Sequence, residues 1–148
     1  MADQDWDVAL VQCVREKLNY PTKARELYIS PWFTKAAAYA ICVSEEWRIL
    51  SAEYGFVHPD QTIAPYDKTL KDMPVRERRL WATRVIPELG RVVRPGDRVL
   101  MLAGVKYREF LVDPLREFGC SVDIPMKGMK IGEQLHWLTE QLSRSCAA

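Results

Sequence analysis

The chain has 148 residues, 48% of them hydrophobic, and its 21 basic and 20 acidic residues leave a formal net charge of +1. These figures fit one compact domain that buries a core without help from disulfides or metal. They exclude a uniformly basic nucleic-acid coat while leaving room for a local cationic cleft.

Acidic Asp3, Asp5 and Asp7 occupy the N-terminal segment, no basic-then-apolar leader is found there, and no run approaches membrane-spanning length. The expectation is a cytoplasmic protein with no membrane partner. Cys13, Cys42, Cys120 and Cys146 are scattered, without a Cys-x-x-Cys pair or histidines at ligand spacing. Neither a zinc site nor a disulfide framework is therefore expected, and the thiols are read as reduced in a cytosol.

Residues 8–11 form a short apolar run ending at Gln12 and Cys13, which predicts a strand buried on both faces of a parallel sheet. Ser30 and Pro31 supply an N-cap and a first-turn proline. Trp32, Phe33, Ala36, Ala37 and Ala40 then recur at helical spacing, predicting a helix through Val43. Residues 47–51 read as the second strand, and the Gly- and Pro-punctuated run 55–67 is too long for a tight connection and reads as a functional loop. Asp72 is expected to cap a helix from about Pro74. Its apolar stripe would be Leu80, Trp81, Val85 and Ile86, its cationic face Arg76, Arg78 and Arg79, and Pro87 would kink or divide it.

Arg94, Pro95, Gly96 and Asp97 predict a turn into a buried strand at 99–103, after which Gly104 turns the backbone sharply. A helix over 107–118, interrupted around Pro114 and stopped at Gly119, precedes a short final strand at 121–124. A last helix from about Ile131 carries Leu135, Leu138 and Leu142 on one face. Strands alternating with helices in this way predict a single α/β domain over 1–148, three layers with a mainly parallel central sheet of about four strands flanked by helices. Ligands bind beyond the carboxyl ends of such strands, so the loops after Gln12, Ser51, Ala103 and Pro125 are expected to converge on one site.

Several residues in those loops carry chemistry. A thiolate at Cys13 needs an activating base, and His58 and His136 are the chain's two histidines, so Cys13 reads as structural or substrate-binding rather than as a nucleophile. Lys17 reads as an anion-binding side chain or a solvated lysine. Asp67 is the leading acid-base candidate, its plainer role being an Asx-turn cap. Gly104, Lys106, Tyr107 and Arg108 combine free amides, a helix-dipole positive end and two cations, which suits a phosphate clamp or simply a basic helix start. The spacing is neither a Walker loop nor a dinucleotide fingerprint, so no ATP, NAD or other cofactor is expected, and no metal. Glu133 reads as a second carboxylate for the reaction or as an ordinary first-turn acid, and Gln134 as an amide able to read a base edge. Trp32 and Phe33 would form a stacking platform or pack the first helix. His58 is a possible proton donor in a loop, and His136 a helix-surface residue.

Leu50, Ser51, Tyr54, Gly55 and Val57, followed by Pro65 and Tyr66, resemble the Leu-Ser-x-x-Tyr-Gly-x-Val...Pro-Tyr pattern of the YaaA-like superfamily. That superfamily includes peroxide-stress DNA-binding proteins, the middle domain of archaeosine synthase and uncharacterised bacterial domains. Over nearly its whole length the chain is similar to one small uncharacterised bacterial family, and Gly132, Gln134 and Leu135 resemble its Gly-x-Gln-Leu ending. Cys13 and Lys17 resemble the Cys-x-x-x-Lys element of archaeosine-synthase-like domains. There the element follows a proline and runs into Pro-Tyr-Ser, whereas here Gln12 precedes it and Leu18, Asn19, Tyr20 and Pro21 follow. Lysine transfer onto preQ0 is therefore not carried over. The resemblance implies the α/β fold, a nucleic-acid setting, and a shared site containing Ser51, Tyr54, Gly55 and Tyr66. Tyr54 would stack on a base or orient a phosphate, or else seal the loop, and Gly55 would supply positive φ or close backbone approach.

These readings predict a nucleobase-recognising, DNA-glycosylase-like enzyme, independent of metal, acting at the N-glycosidic bond of a modified or damaged base in nucleic acid, DNA foremost. Lys17, Lys106 and Arg108 would hold phosphates, Tyr54 or Tyr66 would stack on the base, and Asp67 or Glu133 would position water or stabilise positive sugar charge. The alternatives are a non-catalytic DNA-binding stress or genome-maintenance protein, whose binding would be strongly salt-dependent, and a hydrolase of free modified nucleosides or nucleotides.

Overall fold

The apolar run at 8–11 becomes the middle of β1 (Trp6–Gln12) in the computed structural model, which describes residues 5–146. Asp3 lies outside the described residues. Val8, Ala9, Leu10 and Val11 are almost fully buried because helices cover both faces of the sheet, the condition under which a strand carries no polar alternation. α2 (Pro31–Val43) begins where Ser30 accepts the Phe33 N–H on its Oγ at 3.1 Å, as the cap signal predicts. It runs straight into β3 (Ser44–Ser51), which is longer than its apolar half and lies parallel to β1 with Ala9 opposite Trp47.

The stretch 55–67 is not structureless. β4 (Gly55–Val57) folds back antiparallel on β3, pairing Ser51 with Gly55. Gly55 sits at φ 77°, where a side chain would be strained, so the glycine fits its place after the turn. A second small pairing joins β2 (Thr22–Lys23) to β5 (Thr62–Ile63), and the single turn of α1 (Ala24–Leu27) follows β2. These short strands carry too few residues to show a period in the sequence.

α3 (Val75–Val92) differs from expectation in three ways. It is undivided, with Pro87 inside it, because Trp81, Ala82, Val85 and Leu89 bury one continuous face across the proline. Asp72 does not cap it but lies 4.0 Å from Arg15, and Pro74 occupies the N-cap position. Leu80 is 59% exposed and so leaves the apolar stripe. Of the expected cationic face, Arg78 is tied down by Glu109 and the Met73 carbonyl, both at 2.6 Å, and Arg79 lies over the Phe110 ring.

The turn at 94–97 leads into β6 (Arg98–Leu102), parallel to β1 with Leu10 opposite Met101. The expected helix over 107–118 is two helices, α4 (Val105–Arg108) and α5 (Val112–Glu117), and the break precedes Pro114, which falls in the first turn of α5. A proline is tolerated there because first-turn N–H groups have no intrahelical partner. Gly119, at φ 94°, ends the helix, and β7 (Ser121–Asp123) pairs parallel with β6. α6 (Ile131–Ser145) buries Leu138 fully.

The main sheet has five strands in the order β4-β3-β1-β6-β7, parallel except for the β4 edge. α2 and α6 pack together on one side, while α3 packs on β4 and α5, and α5 on β7. The domain is therefore a three-layer α/β fold. From β1 the chain moves to β3 on one side, and from β6 to β7 on the other, so β1 and β6 flank the switch point where ligands bind in such sheets.

One thiol expectation is corrected. Packing of α2 on α6 brings Cys42 and Cys146 together, 104 residues apart in sequence, and they are disulfide-bonded with Cα atoms 5.8 Å apart. No spacing rule reveals a bond between two helix ends that meet only after folding. Cys13 and Cys120 are free and buried.

Candidate functional site

A recess of roughly 770 Å³ opens at the carboxyl ends of β1 and β6. Gln12, Cys13 and Lys17 enter it from the loop after β1, Trp32 from α2, and Asp67 and Thr69 from the loop before α3. Gly104 and Tyr107 close it from the β6 side, and Gln134 and Leu135 from α6. Its size suits a nucleotide-sized ligand. The convergence of loops expected from the strand order is thus present for those after Gln12, Ser51 and Ala103, while the segment after Pro125 is replaced at the recess by the first turns of α6.

Lys17 is held by local backbone pairing. Residues 16–18 lie antiparallel to 27–29 through Leu18 N–H to Leu27 carbonyl at 2.9 Å and Ile29 N–H to Glu16 carbonyl at 3.0 Å. Its Nζ donates to the Arg15 carbonyl at 3.1 Å and stands 4.4 Å from the centroid of the Tyr66 ring, a cation–π seat. Partial burial lowers the Lys17 pKa below the usual lysine value, opposed by Cys13 and Asp67 nearby.

Below Lys17 lies a hydroxyl network. The Ser51 hydroxyl donates to the Tyr66 hydroxyl at 2.8 Å, and the Tyr28 and Tyr66 hydroxyls share a hydrogen bond of 2.6 Å. Ser51 Oγ also accepts the Tyr54 N–H at 3.0 Å, while its carbonyl accepts the Trp81 indole N–H at 2.8 Å. On the other wall the Cys13 thiol donates to the Tyr107 hydroxyl at 3.4 Å, which also accepts the Leu70 N–H at 3.2 Å. Burial first, and then the nearby Cys13 sulfur, push the Tyr28, Tyr66 and Tyr107 hydroxyls well above the ordinary phenol range. All three stay neutral donors and acceptors at ordinary pH.

This geometry divides the expected site residues. Cys13, Lys17, Asp67, Gly104, Tyr107 and Gln134 line the recess. Ser51 is wholly buried and Tyr66 supports Lys17 from beneath, so both position the site rather than face its hollow. Tyr54 stands edge-on to Tyr66 and donates to the Ala64 carbonyl at 3.2 Å, bracing the loop that carries Asp67, and Gly55 belongs to the hairpin behind it.

The groups of the expected phosphate clamp each have a partner within the fold. The Gly104 N–H is taken by Gln12, Lys106 Nζ donates to the Lys71 carbonyl at 2.8 Å, and Arg108 donates to the Ala103 carbonyl at 2.8 Å. Glu133 lies on a separate shallow hollow with His136 and Trp137, and its carboxylate caps α6 by accepting the Lys130 N–H at 3.0 Å. Gln134 is engaged at both ends, accepting the Trp32 indole N–H and donating to the Met129 carbonyl, each at 2.9 Å. It therefore sets the Trp32 wall rather than reading a base. Phe33 packs in the core, while Trp32 does line the recess. His58 accepts the Asp60 N–H at 3.1 Å and His136 pairs with Glu140 at 3.1 Å, both outside the recess.

Sequence reasoning missed Gln12, Thr69 and Lys71 as lining residues. Gln12 carried a usable signal, a polar residue closing an apolar strand at its carboxyl end.

Ser51→Ala tests the supporting network. It leaves the Tyr54 N–H without its acceptor and removes a donor to Tyr66, with an expected stability loss of about 1–3 kcal/mol, measured by urea unfolding. A loss below about half a kcal/mol would show that Ser51 is not a hub.

Comparison with known proteins adds a family without an assigned activity. A family of unknown function, DUF6884, matches residues 8–140. An uncharacterised protein of Bacillus subtilis (strain 168), YfjM, is 32% identical over 98 residues, covering 62% of this chain and 61% of that protein. The chain thus spans less than two thirds of that relative's length. No solved structure matches.

Proposed function

Because the chain belongs to DUF6884, a family of unknown function, its activity is to be read from the recess, and we propose that it binds a modified or damaged base of nucleic acid there and hydrolyses its N-glycosidic bond. The observation that carries this is Asp67. Among the described residues no hydrogen bond or ion pair engages its exposed carboxylate, which borders the recess close enough to Lys17 for its charge to oppose the burial that lowers that residue's pKa. Tyr66 on one side and Thr69, capping the short 3-10 turn at 70–72, on the other hold its loop.

In this reading the base enters against the Trp32 wall, and Lys17 with Arg15, Lys68 and Lys71 at the rim meets the phosphates. Asp67 stabilises the positive charge that develops on the sugar and takes a proton from water. The water oxygen bonds to the sugar carbon, the N-glycosidic bond breaks with its electron pair on the base, and the base takes up a proton from solvent as Asp67 returns the water proton to solvent. The YaaA-like likeness of the Leu50 to Tyr66 segment belongs to the same proposal, as does a cytoplasmic setting, which goes with a nucleic-acid substrate. No helix among the described residues is long and apolar enough to cross a membrane.

The test is incubation with oligonucleotides bearing normal or modified bases, assaying released base and abasic sites alongside binding. Release supports the reading. Salt-sensitive binding without release would replace it with a binding module, and turnover of mononucleosides without oligonucleotide affinity would place the substrate among free nucleosides.

The lowered pKa of Lys17 gives a second check. A lysine whose folded pKa lies below its usual value loses its charge as pH rises through that lower value, so phosphate binding through Lys17 should fall before an ordinary lysine titrates. Besides the backbone, Lys17 faces Arg15, Glu16, Asp67, Cys13 and the neutral Tyr28 and Tyr66 hydroxyls. In a Cys13→Ser background, which removes the thiol, Lys17→Arg should move the fall in oligonucleotide affinity to higher pH. Superimposable profiles would remove Lys17 from the binding site.

A further inference from the structure

Gln12 closes β1 at the switch point, and the residue is nine-tenths buried, with 9% exposure. Its Oε1 accepts the Gly104 N–H at 2.7 Å. A backbone N–H can only donate, so the amide end facing Gly104 must be the oxygen, and the orientation of the amide follows. A Cβ at position 104 would come within 3.2 Å of that oxygen, which is why a glycine suits the position.

The other end of the amide is accounted for by elimination. Nε2 has no hydrogen-bond partner among the described residues, and none of their buried side-chain nitrogens or oxygens is left without one. Nε2 must therefore meet the open volume of the recess that Gln12 lines. Gln134, the other amide on that recess, has both ends engaged.

Resting on the nucleobase reading above, we propose that Gln12 is the specificity-determining residue, presenting N–H donors to the ligand and selecting an oxo base over its amino counterpart. A glutamine with both ends free pairs with adenine by donating to N7 and accepting from the amino group. Here the oxygen is committed to Gly104, so an amino group at the read edge would face N–H donors and be buried unpaired. A carbonyl oxygen at the same place accepts from Nε2. Lys17 adds a further donor to the same hollow, while the acceptor Asp67 stands at its exposed border.

Fluorescence anisotropy with labelled single-stranded oligonucleotides tests this. The pairs differ only in hypoxanthine against adenine, or uracil against cytosine, at one position. The wild type should prefer the oxo member by roughly tenfold or more. Gln12→Glu keeps an oxygen for the Gly104 N–H and exchanges the donors for an acceptor in the same volume, so the preference should vanish or invert. The wild-type comparison decides on its own should the variant fail to fold. Binding with no oxo preference, or the same preference in both proteins, overturns the role of Gln12 while leaving the recess a nucleobase site. No binding of any oligonucleotide overturns the nucleic-acid reading and this inference with it.

Discussion

Asp67→Asn is expected to slow base release by roughly 10²–10⁴-fold while oligonucleotide affinity stays near that of the wild type. Asparagine keeps the shape of the side chain but can neither take a proton from water nor offset positive charge on the sugar. Because nothing among the described residues hydrogen-bonds or ion-pairs with the Asp67 carboxylate, its loss should cost little stability, and the effect should appear in single-turnover release rather than in melting. A turn-capping role predicts the reverse pattern, a lower melting temperature and a proportionate fall in activity. Glu133→Gln is the matched comparison, since that carboxylate caps α6 on a different hollow and a Gln oxygen can still accept the Lys130 N–H. Unchanged turnover in Asp67→Asn would remove the carboxylate from the mechanism.

Reduction of the Cys42–Cys146 bond is expected to lower stability by about 2–4 kcal/mol, a fall in melting temperature on the order of 5–15 °C. The bond closes a loop over a sequence separation of 104 and ties the end of α6 to α2. Cutting it restores conformational freedom mainly to the unfolded chain. The same two helices carry the Trp32 to Gln134 hydrogen bond at the recess wall. Melting curves with and without reductant, on wild type and Cys42→Ser, provide the measurement, with thiol titration reporting the state of the bond. The oxidised wild type should melt highest and Cys42→Ser should ignore reductant. An oxidised wild type that reductant leaves unshifted would show that the bond contributes nothing.

Much of the fold was legible because its signals are local. The run at 8–11, the Ser30 and Pro31 cap and the turn at 94–97 each announce an element within a few residues, and the alternation of strands and helices implies the parallel sheet. The misses share a cause. β2, β4 and β5 are too short to carry a period, and Pro87 leaves kinking and division both open in the sequence because the buried face that spans it is a tertiary fact. Within the site, residue type pointed correctly to Cys13, Lys17, Asp67 and Tyr107 as lining residues. It could not show that Lys106, Arg108, Glu133 and Gln134 are already occupied by partners.

By itself the chain determined its layers and where along it the polar loops fall, because hydrophobic period and turn chemistry act over a few residues. Only the tertiary structure decided which of those polar groups are free. Whether such a group is engaged depends on backbone brought near from elsewhere in the chain: the Gly104 N–H donates to the Gln12 oxygen, and the Met129 and Lys71 carbonyls accept from Gln134 and Lys106. That is why Asp67 and the amide nitrogen of Gln12 are left facing the recess, while neighbours of equal chemical promise are not.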